Sequence, residues 1–175
     1  MSKVVNDDDN KVFIITSKIG DKKSGFVITW ISEASLNRKN PKIIMVVSNF
    51  NAGLSTLEKS HSFCLNLLSK DQLKEFYTFG VKSSTSFDKF AHVDHVVTGR
   101  GIEIKGCAGY VHGRIDDIFS TPDRKILYCT IEEERETGRP QMILNEVLGQ
   151  LEEPWKSELK LKFERDSLRD ENQFL

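Results

Sequence analysis

Apolar residues in this chain recur mostly at every second position, the period of a strand with one buried face. Lys11 to Thr16 is β-branched and aromatic and runs toward Gly20-Asp21, which predicts a strand entering a hairpin turn. Gly25 to Ser32 predicts a second strand, with Phe26, Ile28 and Trp30 on one face and Val27, Thr29 and Ile31 on the other. Asn37 to Pro41 reads as a turn. The continuous apolar run Lys42 to Val47 predicts a strand buried on both faces. Phe63 to Leu68 is a fourth strand, with Phe63, Leu65 and Leu67 sharing a face. A long alternating strand is expected over Gly106 to Phe119, then a turn at Pro122-Asp123. Its partner is expected over Lys125 to Glu132, where Ile126 and Tyr128 alternate with Leu127 and Cys129.

Helical signals are fewer. Asn51 to Ser60 reads as a short helix with Asn51 at its N-cap. Ser69-Lys70-Asp71-Gln72 has capping-box spacing ahead of Leu73, Phe76 and Tyr77, which predicts a helix from about 70 to 79 stopped at Gly80. Residues 81 to 100 are polar and irregular, with Phe87 and Phe90 as anchors. Thr137 to Pro140 is a turn, and Gln141 to Gln150 reads as helical. Six or more strands with short turns and few helices give a mainly β protein, a barrel or sandwich with peripheral helices. A βαβ nucleotide fold is disfavoured. Gly99-Arg100-Gly101 lacks the third glycine of the dinucleotide fingerprint and precedes a strand, and there is no Walker sequence.

Composition divides the chain. Its 175 residues suit one domain, and 38% are hydrophobic against 29% charged. The charge concentrates from Glu152 onward, with Trp155, Leu159, Leu161 and Phe163 scattered through it. The expected division is a disordered N-terminus over 1–10, a domain over 11–151 and a charged C-terminal helix or tail over 152–175. That last segment reads as solvated helix, flexible tail or partner-docking arm. A net charge of −1 offers no electrostatic case for nucleic acid or an anionic membrane. No apolar run approaches the roughly 18 residues of a membrane span. Residues 1–10 lack the basic start and apolar stretch of a signal peptide, so a cytoplasmic location is expected. Cys64, Cys107 and Cys129 are odd in number, far apart and in apolar contexts. They read as buried reduced thiols, with a catalytic or metal-binding cysteine as the other reading. His61, His92, His95 and His112 have no metal-ligand spacing, and no metal is expected.

Chemistry enters at residues 24–36, where an apolar strand is interrupted by Thr29, Ser32 and Ser35 around Trp30. A strand that only fills a core does not need these hydroxyls together. A strand lining a pocket for a flat, polar-rimmed ring with a phosphorylated tail does, and we read the segment as one wall of a flavin site. The competing reading makes Trp30 a core aromatic and each serine a solvated strand-edge residue.

Four segments in order carry a family resemblance: Gly25-Phe26-Val27-Ile28-Thr29-Trp30-Ile31-Ser32-Glu33-Ala34-Ser35-Leu36, Pro41 before the apolar strand, Phe63-Cys64-Leu65-Asn66-Leu67-Leu68, and Phe87-Asp88-Lys89-Phe90. Over about residues 12 to 135 the chain resembles the flavin reductase-like family, the FMN-binding split β-barrel proteins. The segment from Thr29 to Ser35 is particularly similar to flavoredoxin-like proteins and to the reductase module of some flavodiiron proteins. The resemblance implies a split barrel with a few peripheral helices, forming a homodimer with FMN near the subunit interface. FAD is the alternative flavin. It also implies electron transfer between NADH or NADPH and flavin, and onward to iron or a redox partner protein.

The same resemblance assigns roles. Backbone groups of Ile28, Thr29, Trp30 and Ile31 meet the ring edge, and the Thr29 hydroxyl meets the ring or ribityl chain. Trp30 packs beside the ring or across the dimer interface. Ser32 and Ser35 reach toward the ribityl or phosphate region. The phosphate loop is Ser48-Asn49-Phe50-Asn51-Ala52-Gly53, feeding a helix whose N-terminus favours an anion, with Gly53 allowing close backbone approach. Many relatives carry Ser or Thr and a Lys in this loop, where this chain has Phe50, Ala52, Gly53 and Asn49. Ser55 and Thr56, a turn later, either compensate or are ordinary helix residues. Lys89 reaches a cofactor phosphate or is a surface lysine. His112 lies on a polar strand face or lines the flavin pocket. Many reductases carry Gly-Asp-His where this chain has Thr121-Pro122-Asp123-Arg124, and Arg124 there meets a phosphate or is a solvated turn residue. No catalytic side chain is assigned. The expected function is an NAD(P)H:flavin oxidoreductase. The alternatives are a non-catalytic flavin-binding electron carrier reduced by a partner protein, and a split barrel without flavin serving as an interaction or haem-handling module. Residues 153–175 are expected to be removable without loss of flavin.

Overall fold

A computed structural model describes residues 10–174; the disordered start expected over 1–10 lies, apart from Asn10, outside them. The fold is mainly β. The strands are β1 (Phe13–Ile19), β2 (Lys22–Ile28), β3 (Ile31–Glu33), β4 (Lys42–Ser48), β5 (Ser62–Leu67), β6 (His95–Val97), β7 (Ile102–Ile104), β8 (Gly109–Ser120) and β9 (Arg124–Glu136). The helices are α1 (Leu54–Ser60), α2 (Leu73–Gly80), α3 (Leu144–Gln150) and α4 (Trp155–Glu171). Seven strands form one antiparallel sheet in the order β2-β1-β5-β8-β9-β4-β3, while β6 and β7 form a separate hairpin.

β2 and β3 lie on opposite edges of that sheet, yet only Thr29 and Trp30 separate them in sequence. The sheet therefore curls until its two edges meet. This corrects the single strand expected over Gly25 to Ser32. Ile31 N–H donates to Thr29 O, and Trp30 O accepts from Val46 N–H, so the chain turns at this point and changes partner from β1 to β4. The alternation shifts with it. Ile31 packs with Phe26 and Ile28 instead of with Val27, and Trp30 is 46% exposed instead of buried on their face.

Alternation along the strands feeds two apolar clusters. Ile15, Phe26, Ile28, Ile43, Met45, Phe63, Leu65 and Leu127 fill the inside of the curl, closed by Leu54 and Leu57 of α1. Ile14, Cys64 and Tyr110 point the other way, under Phe76 and Phe79 of α2, the β6–β7 hairpin and α3. Each large apolar side chain so buried contributes roughly 1.5–3 kcal/mol. β4 is buried on one face, not both: Ile43, Met45 and Val47 are in the core, while Ile44 and Val46 are half-buried.

The helix starts also move. α1 begins at Leu54, because Asn51 Oδ1 accepts from Gly53 N–H in a turn before the helix. α2 begins at Leu73. Half of the expected capping box forms, with Gln72 Oε1 accepting from Ser69 N–H, but Ser69 Oγ donates to Gly106 O instead of capping α2. Buried Asn66 pins the β6–β7 hairpin to the sheet: Nδ2 donates to Ile14 O and Ile102 O, and Oδ1 accepts from Ile104 N–H. The stretch expected to be irregular over 81–100 thus contains β6, and the short strand β7 had no expectation at all.

Candidate functional site

An open cavity of about 420 Å³ lies where β2, the loop after β4, the end of α2 and α4 meet. Three of the expected site residues line it: Ser48, Asn51 and Lys89. Phe26 and Val27 of β2, Phe50 of the loop and Phe79 of α2 supply apolar walls. The loop is fixed by hydrogen bonds within itself and to a neighbouring turn. Ser48 Oγ accepts from Phe50 N–H at 3.3 Å, and Asn49 Nδ2 donates to Thr121 O and Pro122 O, both at 2.9 Å. Asn49 thus ties the loop to the β8–β9 turn and does not line the cavity. Gly53 packs the loop onto β2, since a Cβ there would sit 2.7 Å from Phe26 Cδ1.

Lys89 is a buried cation, not a surface lysine. Its Nζ donates to Gly25 O at 3.2 Å and to Phe79 O at 3.1 Å. Burial pushes its ammonium down to about 8, and the nearby Lys162 charge adds to that fall.

The remaining expected residues stand elsewhere. Ile28 is in the inner core and Ile31 packs against it. Thr29 is half-buried at the break between β2 and β3. Ser32 is exposed beside Ile44, Ser35 Oγ accepts from Asn37 N–H in a turn, and Ser55 is exposed on α1. Hence the hydroxyls of Thr29, Ser32 and Ser35 do not converge on the cavity. Trp30 connects to it indirectly. The Arg124 guanidinium lies 5.5 Å from the Trp30 ring and pairs with Asp170 of α4, while neighbouring Arg169 lies 4.9 Å from the Phe50 ring. Arg124 is therefore neither a solvated turn residue nor directed into the cavity. His112 is buried away from it, Nε2 against Glu103 Oε1 at 2.8 Å. Cys64, Cys107 and Cys129 are free and buried, and burial pushes the Cys107 and Cys129 thiols up to about 12, so neither is a nucleophile at neutral pH.

Two groups of lining residues had no expectation. Lys82, Ser83 and Ser84 follow α2, and Lys162, Arg165, Asp166 and Arg169 belong to α4. The charged C-terminal segment is a docked helix. Trp155 stacks on Tyr77 at 4.5 Å, Glu158 accepts from Tyr77 Oη and Lys82 Nζ, and Leu159 is buried in the outer core. The available signal was Trp155 and Leu159 four residues apart, one turn of apolar face inside a charged run.

Residues 9–145 match the model of the flavin reductase like domain. The chain belongs to the flavin reductase-like family. Diflavin flavoprotein A 2 of Nostoc sp. is 29% identical over 137 residues, 77% of this chain and 23% of that protein. Diflavin flavoprotein A 5 of the same organism is 26% identical over 123 residues, 69% of this chain and 21% of that protein. The chain therefore spans less than a quarter of the length of these curated relatives. Among solved structures, the NADH:FAD oxidoreductase SgcE6 of Streptomyces globisporus aligns with a TM-score of 0.70 at 20% identity, covering 77% of this chain and 81% of that one. Flavoredoxin from Methanosarcina acetivorans aligns with a TM-score of 0.66 at 16% identity, over 75% of this chain and 74% of that one. At these identities the likeness is one of fold. The family expected from the ordered segments is the family found, and α4 lies beyond the residues that match its domain.

The cavity suits a flavin nucleotide. It lies within the roughly 300–1,000 Å³ of small-molecule sites. Hydroxyl, amide and cationic donors for a phosphate and polyol stand beside the aromatic and aliphatic walls that a ring requires.

Proposed function

We propose that this protein binds a flavin nucleotide, FMN with FAD as the alternative, and acts as an NAD(P)H:flavin oxidoreductase that hands electrons on to a redox partner. The observation that carries the reading is the cavity itself. It joins hydroxyl, amide and ammonium groups suited to a phosphate (Ser48, Asn51, Lys89) to an apolar wall (Phe26, Val27, Phe50), all on residues within the match to the family's domain. Bound there, a flavin would supply the two-electron chemistry, and the chain's work is to hold and orient it. The backbone from Ile28 to Ile31, which continues from Phe26 and Val27, is proposed to meet the ring edge at the rim of the cavity, with Thr29 and Trp30 beside it, while Ser32 and Ser35 stand outside the site. The loop residues Asn49, Gly53 and Ser55 support the phosphate end. Phe26, Val27 and Phe50 keep water from the walls. Residues 11–151 are proposed as the flavin domain, with 152–175 as a helical segment docked against its cavity.

A homodimer forms part of this proposal. Trp30, Phe119 and Tyr128 are exposed, and with half-buried Ile44, Val46 and Ile126 they make an apolar patch on the outer side of β4, β8 and β9. A cytoplasmic location fits three buried free thiols. No helix among the described residues is long and apolar enough to cross a membrane.

The test is direct. Purified protein is expected to carry flavin absorbance, and anaerobic NADH or NADPH is expected to bleach it within the time of one turnover. A colourless protein that ignores added FMN refutes flavin binding. A flavoprotein that no nicotinamide reduces supports the second reading, an electron carrier reduced by another protein. One observation favours that reading: the turn that carries His in many reductases has Arg124 here, already paired with Asp170. Sedimentation at micromolar concentration checks the dimer, and a monomer refutes it.

A further inference from the structure

We propose that α4 forms the second half of the phosphate wall, with Lys162 and Arg169 as the cations that grip a flavin phosphate and Asp166 holding their place until it binds. The inference rests on the flavin reading above but concerns residues outside the family's domain, which ends at 145.

Position comes first. α4 is fixed across the cavity at both ends. Trp155, Glu158 and Leu159 dock its start on α2 and the outer core, while Arg169 over Phe50 and Asp170 on Arg124 dock its end on the phosphate loop and the β8–β9 turn. Its middle faces the cavity and the loop carrying Ser48 and Asn51.

Charge comes second. On that face one carboxylate, Asp166, is shared among Lys162, Arg165 and Arg169. Three cations around one anion leave the group with two positive charges in excess. Glu158 does not offset them, since it is committed to Lys82 and Tyr77. Lys162 also faces Lys89, and each positive charge disfavours the other, which is part of why the Lys89 ammonium is depressed. Like charges set around a cavity await an anion. A phosphate monoester brings nearly two negative charges and three acceptor oxygens, against one charge on Asp166. It satisfies these cations better than the carboxylate does.

The test compares FMN with riboflavin, which lacks the phosphate, on the full-length chain, with Kd read by quenching of flavin fluorescence. Lys162→Ala/Arg169→Ala is expected to raise the Kd for FMN by about tenfold or more and to leave riboflavin unchanged. Asp166→Asn is expected to lower the Kd for FMN severalfold, because it frees the cations. A helix that only buttresses the fold predicts the reverse for Asp166→Asn, since losing its ion pairs would loosen α4. The inference is overturned if the double variant binds FMN as the wild type does, if it loses both flavins equally, or if Asp166→Asn weakens FMN. A wild-type protein that binds riboflavin and FMN equally overturns the phosphate wall alone, and one that binds neither overturns the flavin reading with it.

Discussion

Replacing Lys89 by Met removes a buried charge while keeping most of the side chain's volume. The ammonium is held at about 8, against an ordinary 10.5, chiefly because burial strips its water and secondarily because Lys162 faces it. In the unfolded chain the proton stays until about 10.5. Between those two values unfolding takes up a proton, so stability rises with pH across the window. At about 1.4 kcal/mol for each tenfold change in proton affinity, the whole window is worth about 3 kcal/mol. Below pH 8 the wild type bears the full penalty of the buried charge, and above 10.5 it bears none. Lys89→Met escapes that penalty but leaves Gly25 O and Phe79 O without their donor, a loss of about 1–3 kcal/mol for each buried group. Near neutral pH the two effects oppose each other. The decisive quantity is the difference between the two proteins, measured by urea unfolding at pH 7, 8, 9 and 10, because other groups titrate alike in both. The wild type is expected to gain on the variant by about 3 kcal/mol from pH 7 to beyond 10. Parallel profiles would refute the account of Lys89 as a cation held in the interior against its hydration.

Asn66→Ala strands Ile104 N–H beneath the β6–β7 hairpin, while Ile102 O keeps the Thr16 hydroxyl, and is expected to cost about 1–3 kcal/mol; hydrogen exchange should show residues 95–104 opening first, and uniform exchange would count against the pinning role. Gly113→Ala drives a Cβ to within 2.6 Å of Phe63 Cζ and onto the Thr130 carbonyl at the register shift of β8. A loss of about 1–3 kcal/mol is expected in chemical denaturation, and an unchanged midpoint would contradict it. Arg124→Ala removes the partner of Asp170 and the cation over Trp30. Limited proteolysis should then cut the end of α4 earlier while the melting temperature of the β domain barely moves; resistance equal to wild type would show that α4 does not depend on this tie.

Strand periodicity carried much of this fold in readable form. Ile14 and Ile15, or Leu127 and Tyr128, must face opposite sides whatever the surroundings, because a pleated backbone turns each residue over. The ordered segments around Trp30, Asn66 and Lys89 likewise point to the family without coordinates. What local pattern does not contain is which strand meets which. The segment from Gly25 to Ser32 reads as one strand, and only curling of the sheet, which brings both of its edges to Thr29 and Trp30, breaks it there and turns Trp30 outward. The candidate site divides the same way. Ser48 and Asn51 were legible as a loop before a helix, and the interior position of Lys89 was not, because burial is a property of the assembled chain. Least legible was α4. Charged helices are solvated by default, and Lys162, Asp166 and Arg169 acquire a role only because Trp155 and Leu159, in the first turns of the same helix, dock it across a cavity built more than sixty residues earlier.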